Sequence, residues 1–189
     1  MRNAAYFFAL ISEVKKEAIV SEGIRRPVIK ARCYDSENEI SEISLIFSEV
    51  SDARKSDGLE RGDVVYFQAS VGECPKGELM FYPNKIHIIQ KKSKYDNDDM
   101  SEVLFNSKLS PFYKEKNMVV FEGTVKEQNG MKVLLEIKGL EFTRGETSEY
   151  SYLWVISENF VPKIGSRVVF AGEVSGNLLK GNLCEIITE

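Results

Sequence analysis

The sequence predicts an all-β protein made of two similar five-stranded halves. Short runs rich in Val, Ile, Phe and Tyr alternate with turn residues along the chain, and this pattern is typical of β-strands. The strands fall into two sets of five, with a polar segment between them. A chain of 189 residues has room for two small domains, because domains begin at about 50 residues.

The first half contains five predicted strands and one longer connection. Residues 49–61 follow the third strand, are polar, and are able to form one short helix before Gly58. The predicted order is therefore three strands, a helical connection and two further strands. These strands are predicted at residues 4–14, 26–35, 39–48, 62–71 and 79–90.

The second half repeats this plan. Gln128-Asn-Gly130 joins its first two strands, and Asn-Gly favours a tight hairpin because both residues tolerate positive φ. The connection between its third and fourth strands is shorter than in the first half and contains Pro162. Its strands are predicted at residues 117–127, 131–142, 148–157, 166–175 and 177–188.

The fourth strands of the two halves match residue by residue. Each begins at a glycine, Gly62 or Gly165, and continues with alternating apolar residues that are predicted to face the interior. This match indicates an internal repeat. The matched interior pairs are Val65 and Val168, Phe67 and Phe170, Ala69 and Gly172, and Val71 and Val174.

Each half is predicted to contain three strands, a connection and two further strands. This order resembles the OB-fold, a small five-stranded Greek-key barrel. The resemblance is one of topology and has no sequence motif of its own. It implies two tandem five-stranded OB-like Greek-key barrels at residues 1–92 and 117–189, joined by a linker at 93–116. A single larger β-sandwich made from the same strands is the alternative.

The linker is predicted to carry one short amphipathic helix, with Asp98 or Asp99 near its N-cap. Its apolar side either packs on a barrel or docks another protein. The apolar residues at near-helical spacing are Met100, Val103, Leu104 and Leu109, and Pro111 follows them.

Composition excludes several classes of protein. The net charge of -4 argues against a strongly basic, nonspecific nucleic-acid coat, and no apolar run is long enough for a membrane helix. Three distant cysteines and the single histidine, His87, suggest neither a disulfide framework nor a zinc site. We expect a cytoplasmic protein with no cofactor and no metal.

Enzyme signatures are also missing. The sequence has no phosphate-binding loop, no nucleophile elbow, no H-E-x-x-H motif and no plausible pair of cysteine and histidine. The acidic residues are scattered at strand edges and turns, where solvated charge is the ordinary explanation. We therefore predict a protein that is not an enzyme.

The stretch EYSYLWVIS carries the most distinctive pattern in the second half. Tyr150, Tyr152 and Trp154 would share one face of a strand, with Leu153 and Val155 on the other. OB barrels bind oligonucleotides on their second and third strands, and single-stranded nucleic acid needs rings for stacking and cations for its phosphates. The neighbouring strand would place Lys132 and Lys138 on the same face, together with Leu134 and Glu136.

The first half offers a more basic version of the same face. Its second strand is predicted to place Lys30, Arg32 and Tyr34 outward, a pattern that suits contact with a phosphate backbone. Arg25 and Arg26 stand at the end of the preceding loop. Further candidates outside this strand are Lys76 between the fourth and fifth strands, and Tyr66 and His87 on those strands.

With these residues on its predicted binding faces, the two-barrel arrangement resembles the tandem-OB single-stranded-DNA-binding proteins. The resemblance implies non-catalytic binding of exposed strands in replication, recombination or repair, with proteins of those processes and a second copy of the chain as further partners, and no membrane. RNA stays open because stacking does not distinguish the sugar. No Gly/Pro/Gln-rich tail with an acidic tip follows the last strand, so recruitment through such a tail is not expected.

The alternative function is that of a protein adaptor or assembly subunit. Tyr and Trp are favoured at protein interfaces as well as in stacking, so the aromatic strand and the linker helix would then contact other proteins. Salt separates the two functions, because strand binding weakens steeply with salt through counterion release.

Overall fold

The computed structural model describes residues 3–21, 23–47, 54–73, 79–92, 117–138 and 150–187. These residues are all-β, and the helical structure among them is one 3₁₀ turn, Arg54–Ser56, in the predicted helical connection. The first-half strands are β1 (Asn3–Ser21), β2 (Ile24–Tyr34), β3 (Ile40–Ile46), β4 (Val64–Glu73) and β5 (Leu79–Gln90). The second-half strands are β6 (Met118–Asn129), β7 (Lys132–Lys138), β8 (Tyr150–Ser157), β9 (Arg167–Ser175) and β10 (Leu178–Glu185).

The five strands of the first half close into a barrel. β1 pairs antiparallel with both β2 and β4, β2 pairs with β3, and β4 pairs with β5. A parallel contact between β3 and β5, at Leu45 and Phe81, completes the ring. This strand order is that of the OB-fold, so the predicted all-β class and barrel are confirmed.

The second-half strands make the same pairings. β6 pairs with β7 and β9, β7 pairs with β8, and β10 pairs with β9 and, in parallel, with β8. The backbone N–H of Gly62 donates to the carbonyl of Ile11 at 2.9 Å, and that of Gly165 donates to the carbonyl of Val125 at 2.8 Å. Both glycines have positive φ, of 94° and 90°. Glycine adopts a positive φ without steric cost, which explains why a glycine precedes both fourth strands.

The interior repeats as well. Phe7 lies opposite Phe67 in the register of β1 and β4, and Phe121 lies opposite Phe170 in that of β6 and β9. All the interior positions predicted on β4 and β9 are buried except Gly172, which is half-buried. Gly172 instead meets Gly181 where β9 and β10 approach closely, and a Cβ added at Gly172 would lie 2.2 Å from the carbonyl oxygen of Lys180.

The two halves share hydrogen bonds and a core. Residues Asn3 to Tyr6 of β1 pair antiparallel with Phe121 to Met118 of β6, so all ten strands of the described residues belong to one hydrogen-bonded sheet. One buried apolar cluster contains residues of both halves. All ten strands belong to one sheet, whose first five strands close into a barrel, so the described residues do not show the sandwich alternative.

A polar junction fastens the β2–β3 turn to the second half. The buried side chain of Asn117 donates from Nδ2 to the carbonyls of Tyr34 (3.0 Å) and Val174 (2.8 Å), and its Oδ1 accepts from the N–H of Val174 (3.0 Å). The N–H and hydroxyl of Ser36 both donate to the carboxylate of Glu173. These bonds join groups of both halves and limit their relative movement.

The main difference from the predicted strands lies in β1, which continues to Ser21 instead of ending near residue 14. It pairs with Ile24 to Val28 of β2 across an extended hairpin, and this pairing is what prolongs the strand. The predicted linker helix at 93–116 lies outside the described residues. In the part of the chain that is described, no helix is long and apolar enough to cross a membrane.

Candidate nucleic-acid interface

The three rings of β8 lie on its outer face, as predicted. Tyr150 and Tyr152 are each 44% exposed and Trp154 is 39% exposed, whereas the intervening Ser151 and Leu153 are buried. An aromatic residue at every second position produces this arrangement, because successive side chains of a strand point to opposite faces. We call the outer surface of β7 and β8 from Tyr150 to Trp154 the aromatic face.

Two lysines bracket the aromatic face. Lys138 lies opposite Tyr150 and Lys132 lies opposite Ile156 in the register of β7 and β8, and both lysines are exposed. Neither makes an ion pair with any described residue. The two lysines are six positions apart along β7, or roughly 20 Å, so the three rings lie alongside a span with an available cation at each end.

A carboxylate lies at the centre of the aromatic face. Glu136 accepts a hydrogen bond of 2.9 Å from the phenol of Tyr152 and forms an ion pair of 2.9 Å with Lys126. The hydrogen bond from Lys126, and then that from Tyr152, lowers the pKa of Glu136, while the same contacts raise the pKa values of Lys126 and Tyr152. This network holds the Tyr152 ring by its hydroxyl.

The charges beside Tyr150 are mixed. A small cavity of about 50 Å³ lies among Tyr150, Lys138, Glu122 and Arg167. Arg167 lies 3.9 Å from Glu122, a loose and half-exposed pair. The exposed Lys138 is therefore the cation most available to a ligand at this end of the aromatic face.

The predicted basic residues of β2 are accompanied by an acid. Lys30 forms an ion pair of 3.5 Å with Glu42 on β3, and Arg32 lies opposite the same glutamate in the β2–β3 register. Their side chains lie on the outer face as predicted, with Ala31 buried between them and Ile29 buried before Lys30. The glutamate reduces the positive potential that the sequence pattern indicated.

Tyr34 corrects the sequence-based interpretation of the first half. It was predicted on the exposed face, but it is only 7% exposed and packs in an apolar cluster with Leu10 and Val64 against Phe8. Neighbouring strands supply these apolar residues on the outside of the barrel, where alternation along β2 alone could not reveal them. The Tyr34 ring is not available for stacking.

The same outer surface of the first half carries a second apolar cluster. Val28, Ile46, Met80 and Tyr82 lie on β2, β3 and β5 and are all buried, with Ala18 of the extended β1 packed against them. The equivalent surface of the second half exposes rings. The two halves therefore present different surfaces on equivalent strands.

The remaining candidates lie apart from the aromatic face. Arg25 forms an exposed 3.6 Å ion pair with Glu17 on the extended hairpin, and the guanidinium of Arg26 donates to the carbonyl of Arg25. Lys76 lies outside the described residues. Cys33 is buried, which raises its pKa to about 12, so it has the character of a core residue.

Tyr66 belongs to a ring cluster on the outside of β1, β4 and β5. Its ring centroid is 4.8 Å from that of Phe8, 6.2 Å from that of His87 and 6.5 Å from that of Tyr6. Burial, and then the neighbouring Tyr6, raises the pKa of Tyr66. These ring contacts cover part of the Tyr66 ring, which the sequence pattern had suggested as a surface for a ligand.

Sequence reasoning missed residues that tertiary contacts bring to the aromatic face. Lys126 reaches it at an irregularity in the β6–β7 register, between Val125 and Glu127, and a β-bulge of this kind re-aims a side chain. Leu79 comes from the first half, Asn177 from the β9–β10 turn and Leu178 from the start of β10. The local sequence pattern does not predict these contacts, because they join residues that are distant in sequence.

Comparison with known proteins supports the fold. The chain is similar to the wild-type single-stranded DNA binding protein from Thermus aquaticus, with a TM-score of 0.60 and 10% identity over 100% of this chain and 94% of that chain. A deletion mutant of the same Thermus aquaticus protein gives a TM-score of 0.55 and 9% identity, over 100% of this chain and 96% of that one. No protein-family model and no curated protein matches the chain. The chain therefore resembles OB-fold single-stranded-DNA-binding proteins in fold.

Proposed function

We propose that the protein binds single-stranded nucleic acid, with DNA as the favoured ligand, without catalysing a reaction. The observation that carries this proposal is the aromatic face, on which three exposed rings lie between two exposed lysines. Unstacked bases gain about 1 to 3 kcal/mol each on such rings, and the lysines would contact phosphates. A duplex hides its base faces and would gain little from this surface.

The second half is the main binding element in this proposal. Its aromatic face is open, whereas the equivalent surface of the first half carries the Lys30–Glu42 pair and buried apolar clusters. We propose that residues 1–92 and 117–189 are tandem OB-like domains, of which the first mainly supports the second. The similarity in fold to the Thermus aquaticus protein is consistent with this function. Replication, recombination or repair in the cytoplasm is the proposed setting.

The test uses Trp154, the chain's only tryptophan. Titration with oligothymidine at low salt should quench its fluorescence to saturation, and added salt should reverse the quenching. Trp154→Phe should weaken binding about threefold in a gel-shift assay, because a smaller ring stacks less well. Phe160→Leu is the matched control, since Phe160 is a comparably exposed ring (41%) that does not lie on β8.

Two outcomes would contradict the proposal. If the folded wild-type protein binds neither DNA nor RNA oligonucleotides, the aromatic face has another role, and a protein interface becomes the better explanation. If the Phe160 variant loses as much affinity as the Trp154 variant, the ligand does not use the aromatic face specifically.

A further inference from the structure

Beside Trp154 the surface deepens into a pocket of about 440 Å³ that both halves of the protein form. In the second half, Tyr152 and Trp154 form an aromatic wall, and Leu134 and Leu178 add aliphatic side chains. The first half contributes Leu79. The pocket lining includes Leu79, Leu134, Tyr152, Trp154, Asn177 and Leu178.

Leu79 reaches the pocket from the start of β5. It is the first residue of β5 and lies opposite Glu73, the last residue of β4, and β4 also lies beside β8. Leu79 is half-buried and packs against the main apolar core. Its position is therefore set by the first barrel and does not depend on a ligand.

The opposite side of the pocket is anchored to the first half too. Asn177 and Leu178 follow Gly176, whose N–H donates to the hydroxyl of Ser41 at 2.9 Å. The hydroxyl of Ser175, the last residue of β9, donates to the carboxylate of Asp35 at 3.2 Å. Core packing holds the Leu79 wall and these hydrogen bonds hold the opposite one, so the pocket is formed before any ligand arrives.

The lining suits a planar, largely apolar group with a polar edge. The Trp154 ring and the side chains of Leu134, Leu178 and Leu79 offer apolar contact, and the amide of Asn177 has both donors and an acceptor. A nucleobase has this combination of flat apolar faces and a polar edge. The pocket is also continuous with the aromatic face, whose lysines would hold the adjoining phosphates.

We propose that the pocket receives one nucleobase of a bound single strand, and that Leu79 of the first half completes the site of the second. This inference rests on the proposed function and deepens it, because the binding site is then shared between the halves. The base lies between Trp154 and an aliphatic wall, while its neighbours stack on Tyr152 and Tyr150.

The test measures oligothymidine affinity of the full chain after Leu79→Ala. We expect binding to weaken about five- to tenfold, because a base held between two surfaces loses one of them. Ile88→Ala is the matched control, as Ile88 is an exposed aliphatic residue on the same strand and does not line the pocket. Asn177→Ala, at an exposed turn position, gives a second test that leaves the core intact, and it should weaken binding about threefold.

The outcomes separate this inference from the proposed function. If Trp154→Phe weakens binding while Leu79→Ala and Asn177→Ala bind like the wild type, the strand uses the aromatic face and the shared pocket is refuted. If the folded wild type binds neither DNA nor RNA oligonucleotides, both proposals are refuted. Loss of affinity in the Leu79 and Asn177 variants, with Ile88→Ala unchanged, supports the shared site.

Discussion

The phenol of Tyr152 donates a hydrogen bond of 2.9 Å to the carboxylate of Glu136, directly across the β7–β8 pair. An acid at the centre of a surface proposed to bind an anionic polymer opposes that binding. It also fixes the ring on which a base would stack. The balance between these two effects can be measured.

Glu136→Gln should tighten binding of oligothymidine about threefold, because it removes a repulsive charge and leaves Lys126 available for a phosphate. The plot of log affinity against log salt should become steeper by about 0.7, the increment for one added phosphate contact on a single strand. Titrations at several salt concentrations would measure both effects. Weaker binding with an unchanged slope would show that orienting Tyr152 matters more than the charge.

Lys132→Ala and Lys138→Ala should act in the opposite direction. Each lysine is exposed and makes no ion pair with a described residue, so its removal should flatten the salt dependence by about 0.7 and weaken binding to all sequences alike. Lys85→Ala, which removes an exposed lysine of β5, is the control. Equal effects of all three substitutions would indicate nonspecific attraction without a defined path.

The carboxyl group of Glu136 should titrate below its ordinary pKa of 4.5, because Lys126 and Tyr152 stabilise the charged form. A lowered pKa in the folded state contributes stability above the unfolded pKa, and this stability is lost as the pH falls through the folded value. Lys126→Met should therefore raise the Glu136 pKa toward 4.5 in a carboxyl NMR titration. A wild-type pKa at or above 4.5 would contradict the network.

Asn117→Ala should destabilise the protein by about 2 to 4 kcal/mol, because it leaves two carbonyls and one N–H at the junction without their side-chain partner. The free energy of unfolding in urea would measure this loss. Asn182→Ala, an exposed asparagine on β10, should change it by less than about 0.5 kcal/mol. Similar small effects of both would show that the junction contributes little.

Gly172→Ala and Gly176→Ala should differ in cost. The new Cβ at Gly172 would meet backbone atoms of β10, and overpacking of this kind costs about 1 to 3 kcal/mol or more. Gly176 has open space around it but a φ of +64°, so the cost there should be about 1 kcal/mol. A larger loss at Gly176 in thermal unfolding would contradict the close approach of β9 and β10.

Local periodicity was sufficient to predict most of the fold. The alternation in EYSYLWVIS placed Tyr150, Tyr152 and Trp154 on one exposed face, and the matched glycines Gly62 and Gly165 indicated two strands with equivalent starts. Each of these features depends only on neighbours along the strand and on backbone conformation. They are therefore readable from a single sequence.

What could not be predicted depends on contacts between distant strands. Tyr34 has the same alternating pattern as the exposed Lys30 and Arg32, but Leu10 and Val64 from other strands enclose it. Glu42 on the adjacent strand reduces the positive potential of a basic pattern, and Lys126 reaches the aromatic face through a register shift. Leu79 lies close to Trp154 only because the two halves are fastened together.

The ladder between β1 and β6 has a consequence for how the protein folds. Asn3 pairs with Phe121, more than a hundred residues further along the chain, while Ala5 and Tyr6 also pair with β4. Contacts this distant require closure of a long loop and form late. During synthesis, the edge of β1 that pairs with β6 therefore stays unpaired until β6 has been made. Until then, this edge is open to pairing with strands of other chains.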